Sequence, residues 1–310
     1  MTFDMMKNMR KLVLILSFVF CLTAAQAKDY LNYDLPVRPD TLKILAIGNS
    51  FSDDAMMYLP AMLQSSGVHN VVLGRLYIGS CSLQRHCEEY RNGGSNYVFW
   101  KSEHNEWVEM DSSASLLDGL QNEDWDIITL QQVSGLSGDY RSYVPYLGEL
   151  ISIVRENSLN PRASIVWHET WAYANNSSHP DFVNYERNQT KMFKQIDACV
   201  HAIMSVYDFR KVIPTGRLIQ VVRKSTFNTE NDLTRDGYHL DYRLGRYTAA
   251  LCWYESLIVP TIGKKLKTQN LPALIGQEYS KNELWAIGKF AQKAAKMSKP
   301  EAFLSGKTIY

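Results

Sequence analysis

The 310-residue chain has little cysteine, no run of like charge and only one long apolar stretch, and each scarcity removes a class of protein. Its five cysteines are Cys21, Cys81, Cys87, Cys199 and Cys252, and nothing near them is spaced like a zinc site. Cys199 and Cys252 fall inside apolar helical patterns and read as small buried hydrophobes. Cys81 and Cys87 are the one locally plausible disulfide pair. Thirty-three Lys and Arg against 32 Asp and Glu give a formal net charge of +1. A near-neutral chain without basic runs gives no support for a nucleic-acid or anionic-membrane partner. No low-complexity linker and no internal repeat divides it. The apolar stretch "LVLILSFVFCLTA" falls short of the roughly 20 residues that a spanning helix needs, and no stop-transfer pattern follows.

What stands around that stretch is informative. Lys7, Arg10 and Lys11 precede it, and Ala25-Gln26-Ala27 closes it, in the order of a secretory signal peptide cut after Ala27. Phe20 occupies the place where a lipoprotein anchored at Cys21 needs a small residue. Residues 1–27 are therefore expected to be a signal peptide, and 28–310 one domain that is periplasmic or secreted, without stable membrane insertion.

Short runs rich in Ile, Val and Leu at 43–48, 71–78, 126–131, 163–168 and 211–214 predict buried parallel strands. Helical patterns lie near 53–66, 141–157, 184–206, 241–257 and 282–297, with Pro60 set to kink the first and Gly67 to close it. The alternation predicts a doubly wound, three-layer α/β/α sandwich with a central parallel sheet, of flavodoxin-like type. The stretch from Arg85 to Leu117 breaks the pattern. There "SNYVFW" and "NEWVEM" flank a polar segment with His104 and Asn105, as in a hairpin or excursion at the rim.

The first strand runs into Gly48-Asn49-Ser50, then Phe51 and the acids Asp53 and Asp54. Such a turn either simply caps a helix or presents a nucleophile at the C-terminal edge of the sheet, where open α/β folds place their chemistry. A serine needs a base, and the base an orienting partner. "LTRDGYHLDYRLGRYT" supplies both: Asp236 and His239 stand three apart in a Gly-containing loop, and Asp241 is the candidate N-cap of the helix that follows.

Here the sequence resembles the SGNH (GDSL-type) hydrolases. "IGNSF" is similar to their first block, which carries the nucleophile, and "DGYHL" to their last, which carries the acid and base. "YIGSCS" is similar to the second, whose glycine lends an N–H to the oxyanion hole. The segments "GNSFS", "SLQRH", "LQQ" and "DGYHL" further resemble a secreted, Bacteroides-type branch. The resemblance implies a triad of Ser50, His239 and Asp236, and an oxyanion hole from the Ser50 and Gly79 N–H groups. The superfamily's G-x-N-D is absent, and "DIITLQQVS" stands in its place. A glutamine amide can donate as asparagine does, and Gln131 is the expected third donor. Alternation along the strand turns Gln132 to the other side, where it is the expected substrate contact.

"VWHETWAY" follows the fourth predicted strand to the same edge, so Trp167, His168, Glu169, Trp171 and Tyr173 either form a sugar-binding rim or pack inside, with Glu169 in an ion pair. His86 either reaches the site from the second block or is satisfied in its loop. Arg217 either meets an anionic substrate or makes an ordinary salt bridge. No metal or organic cofactor is implied. The expected activity is that of a serine esterase removing small acyl groups, acetyl foremost, from carbohydrate or another small ester. A lipid-directed esterase and a non-catalytic glycan-binding module are the alternatives.

Overall fold

The structure, a computed structural model, describes residues 32–103 and 106–304, so the expected signal peptide and His104 with Asn105 lie outside the described residues. Seven strands build one mixed sheet: β1 (Leu42–Gly48), β2 (Val71–Tyr77), β3 (Tyr97–Glu103), β4 (Glu106–Ala114), β5 (Ile127–Leu130), β6 (Ser164–His168) and β7 (Val212–Ile213). Their order is β4-β3-β2-β1-β5-β6-β7. The five strands from β2 to β7 run parallel, while β3 and β4 add an antiparallel hairpin at one edge. Helices cover both sides, giving the expected three-layer α/β/α sandwich. β5 and β6 are buried along their whole length, as parallel strands covered on both faces must be. Chain order reverses at β1, which has β2 on one side and β5 on the other. Crevices at such a switch point open beyond the carboxyl ends of the strands. Ser50 and Gln131 follow those two ends.

The first predicted helix is two, Ser50–Met56 and Leu59–Ser65, with Pro60 in the opening turn of the second and Gly67 at φ 65° beyond its end. Proline is tolerated there because the first-turn N–H groups have no helical partner. The Arg85–Leu117 excursion is the β3–β4 hairpin, preceded by a helix at Leu83–Arg91. Two further helices, Thr215–Arg223 and Leu116–Leu120, also lie where no helical pattern was read. The long helix Lys281–Lys296, last but one among the described residues, opens with a capping box made by Ser280 and Glu283. No helix among the described residues is long and apolar enough to cross a membrane.

Candidate active site

β1 delivers Asn49 in extended conformation, and the helix starts on Ser50 itself. Asn49 Oδ1 accepts the N–H of Phe51 at 3.0 Å, which caps that helix. Gly48 is needed for space. Its φ is not in the left-handed region, but a Cβ there would lie 2.5 Å from Ser52 Oγ and 3.1 Å from Gln131 Cδ. The sharp turn expected of Gly48 is thus a close approach between β1, the new helix and the end of β5.

From the far end of the chain, His239 Nε2 comes within 2.9 Å of Ser50 Oγ, while its Nδ1 lies 2.6 Å from Asp236 Oδ2. The other carboxylate oxygen, Oδ1, accepts the N–H groups of Tyr238 and His239 at 3.1 and 2.8 Å. Partial burial works against ionising Asp236, but the His239 ring and these N–H donors outweigh it and hold the carboxyl below its ordinary value. Gly237 makes the loop possible: its φ is 93°, and a Cβ would meet Ser177 Cα at 2.8 Å. The irregular segment that leaves β6 secures the same loop, since Trp171 Nε1 donates to Tyr238 O and Ala174 N to Gly237 O, both at 2.8 Å. Asp241 Oδ1 accepts from Arg243 N and Gly245 N, but the helix begins only at Leu244 with Arg243 in the N-cap position, so Asp241 holds the first turn from two residues upstream and is not the N-cap expected of it.

The aromatic stretch is a floor rather than a rim. Trp167, His168, Glu169 and Trp171 are at most 1% exposed, so none of them can touch a substrate. Trp167 packs against Tyr143 and Phe209. Trp171 stacks on Phe51 with ring centroids 4.2 Å apart, next to the Ser50 turn. Tyr173 is buried, its hydroxyl 2.9 Å from Ser134 Oγ. Glu169 accepts the Arg217 N–H at 3.0 Å, and the Arg217 guanidinium also binds Asp197. Burial raises the Glu169 carboxyl above its ordinary value, Arg217 notwithstanding. Arg217 is therefore a structural ion-pair partner. His86 is buried away from the cleft, with Nδ1 2.7 Å from Tyr97 Oη, and burial pushes its pKa down to about 3. Cys81 and Cys87 are free buried thiols: Cys81 Sγ lies 3.4 Å from His86 Nδ1, and Cys87 Sγ 3.4 Å from Tyr146 O.

Gln131 and Gln132 diverge as strand alternation predicts. Gln132 is not the expected substrate contact, because it is buried and serves a loop: its Oε1 accepts Leu83 N and Val133 N, and its Nε2 donates to Ser142. Gln131 is nearly fully buried and already engaged. Its Nε2 donates to Asn49 Oδ1 at 2.8 Å, and its Oε1 is 2.9 Å from His168 Nδ1. An amide oxygen can only accept, so His168 donates from Nδ1, and Thr215 Oγ1 donates to His168 Nε2 at 3.1 Å. Buried as it is, His168 has a pKa lowered to about 3 and stays neutral. Thr215, His168, Gln131 and Asn49 thus form one buried hydrogen-bond chain that ends at the residue before Ser50.

Above Ser50 and His239 opens a cleft of about 380 Å³. Ser80, Ser134, His179, Asp181 and Tyr238 line it, none of which the sequence reading singled out. Gly79 sits in the exposed turn after β2, and it is its neighbour Ser80, at φ 54°, that faces the cleft. The "YH" within the last block was the one available signal for Tyr238, whereas "SSHPDF" carries no pattern that marks His179.

A doubly wound sheet that presents a serine, a histidine and an aspartate in hydrogen-bonded series at its carboxyl edge defines the class of site. The model of the DUF4886 family, described as a domain of unknown function, matches residues 43–273, and the chain belongs to that family. A DUF4886 family protein from Bacteroides uniformis, known from its crystal structure, is 37% identical, with a TM-score of 0.67 over 86% of this chain and 94% of that one. Looser overlays include an acetylxylan esterase from Geobacillus stearothermophilus (10% identity, TM-score 0.46, 71% and 95% coverage). A gut microbial diltiazem-metabolizing enzyme overlays similarly (12% identity, TM-score 0.43), with 74% of this chain and 49% of that chain covered. No curated protein matches the chain.

Proposed function

We propose that the protein is an exported serine esterase that removes small acyl groups, acetyl foremost, from carbohydrate. One observation carries the reading: His239 bridges Ser50 Oγ and the Asp236 carboxylate at hydrogen-bond distance on both sides. In that arrangement His239 Nε2 takes the Ser50 proton as Oγ attacks the ester carbonyl. Collapse of the tetrahedral intermediate expels the sugar alcohol, which receives the proton back from His239. Water, deprotonated by the same nitrogen, then cleaves the acyl-serine. Asp236 fixes the ring with its proton on Nδ1 and stabilises the imidazolium. The oxyanion falls to the Ser50 and Gly79 N–H groups. Of the two Gln131 amide protons one is committed to Asn49, which leaves the other for the hole.

The small cleft, walled by serine hydroxyls, supports a short acyl group and a polar alcohol. The test is a series of 4-nitrophenyl esters and acetylated glycosides given to purified protein. Acetate esters are expected to exceed octanoate esters in kcat/KM; the reverse order discards the carbohydrate reading for a lipid one. Export is supported by the basic, apolar and Ala-Gln-Ala order at the N-terminus. Mass spectrometry of protein from its host is expected to find a chain starting near Lys28, and an intact Met1 in the cytoplasm overturns it.

A further inference from the structure

One wall of the cleft belongs to a segment the triad does not use. His179 heads the short 3-10 turn Pro180–Tyr185, and its Nδ1 accepts the Asp181 N–H at 3.2 Å. A ring nitrogen that accepts carries no proton, so in the neutral imidazole the proton is on Nε2. Burial, and then the nearby His239, keep the His179 pKa below its ordinary value despite Asp181, which favours that neutral form. Nε2 has no protein partner among the described residues, on a ring that lines the cleft. The ring is held from two sides, with centroids 4.6 Å from Tyr173 and 4.7 Å from Tyr238. Tyr238 in turn lies 4.3 Å from the His239 ring, so His179 stands one aromatic side chain away from the base.

Asp181 lines the same wall and keeps about half its side chain exposed. The turn at Ser134–Leu136 comes up against it: a Cβ on Gly135 would lie 2.0 Å from Asp181 Oδ2. An unpaired N–H donor and a carboxylate acceptor therefore sit two residues apart, beside a tyrosine ring. Two neighbouring hydroxyls, each able to donate and accept, satisfy such a pair, whereas an alkyl or aryl alcohol leaves both groups unpaired. A carboxylate in this position also repels an anionic sugar.

The geometry points to His179 and Asp181 as a hydroxyl-recognition subsite for the neutral sugar ring that carries the acyl group. This rests on the cleft being the ester site, but it is measurable without turnover. In a Ser50→Ala background, calorimetry gives the Kd for monoacetylated methyl xylopyranoside and methyl glucopyranoside. His179→Asn keeps an acceptor to cap the 3-10 turn but loses the reaching N–H; Asp181→Ala loses the carboxylate. Each is expected to raise Kd about ten-fold, the scale of one lost sugar hydrogen bond at a polar site, with the Tm little changed. With Ser50 intact, kcat/KM for the acetylated glycosides is expected to fall by several times more than for 4-nitrophenyl acetate. The subsite is overturned if neither glycoside binds, if Kd stays within about two-fold, or if both ester types lose activity equally. A His179→Asn effect on Kd in a protein that cleaves no ester keeps the subsite and removes the esterase reading. Ester cleavage without any His179 or Asp181 effect does the opposite.

Discussion

Asp54 Oδ2 accepts the backbone N–H of Leu240 at 2.8 Å, joining the helix that begins at Ser50 to the residue that follows His239. Arg235 and Arg246 close on the same buried carboxylate. The loop bearing Asp236 and His239 is thus fastened to the Ser50 helix by one acid and two guanidinium groups. Asp54→Asn keeps the shape but removes the charge that both arginines face. Stability is expected to fall by about 3 kcal/mol, as when one member of a buried pair is lost, and kcat to fall with KM little changed. Denaturant unfolding and steady-state kinetics check both; an unaltered kcat would show that the loop is held without Asp54.

Ser50→Ala and His239→Ala are each expected to abolish ester hydrolysis in a folded protein. Asp236→Asn retains more, with a loss of up to about 10⁴ in kcat, because it leaves nucleophile and base in place but favours the wrong tautomer. Wild-type activity in Ser50→Ala against every ester cleaved would rule the mechanism out.

Gln131 separates two kinds of role. A pure oxyanion donor, once removed, lowers kcat alone, by about 100-fold or more. Here Gln131→Ala also leaves His168 Nδ1 without its acceptor and Asn49 without its donor, so kcat and Tm are expected to fall together. Gln131→Glu is expected to be at least as harmful to kcat, because a carboxylate would face Asn49 Oδ1 and the developing oxyanion. A loss of kcat at constant Tm in Gln131→Ala would make Gln131 a donor only.

Acid stability should follow the two buried histidines. His86 and His168 bind a proton in the unfolded chain near pH 6.5 but in the fold only near pH 3. The unfolded state therefore holds more protons across that window, and stability is lost as pH falls below 6.5. Urea midpoints measured from pH 7 to pH 4 are expected to decline less steeply in His86→Gln than in the wild type, and parallel curves would contradict this.

Strand positions were legible because each parallel strand is a run of branched apolar residues covered on both faces, and β1, β5 and β6 fall within a residue or two of the patterns. The Ser50, His239 and Asp236 cluster was legible because its polar residues stand in loops where only turns or chemistry need them. The Leu83–Arg91 helix was not, since its buried face is made of Leu83, His86 and Cys87 and carries little hydrophobic signal. Trp171 misled for a different reason. An aromatic residue at a strand end reads alike whether it lines a cleft or roofs the core, and what decides is Phe51, far away in sequence. The role of Asp54 was not legible either, because its partners Arg235, Leu240 and Arg246 come from the other end of the chain.

The β3–β4 hairpin has most of β4 exposed, and by its looks it could be trimmed from the fold. Arg75 on β2 argues otherwise. Its guanidinium lies 4.1 Å from the centre of the Trp107 ring on β4 and 5.4 Å from that of Trp100 on β3, and it meets Asp53 of the Ser50–Met56 helix at 2.8 Å. Deleting the hairpin would strip the aromatic cover from a cation buried beside the edge that carries Ser50. The peripheral ribbon and the helix that begins at Ser50 are therefore one mechanical unit, and a minimal version of this protein has to keep the ribbon or replace Arg75 and Asp53 together.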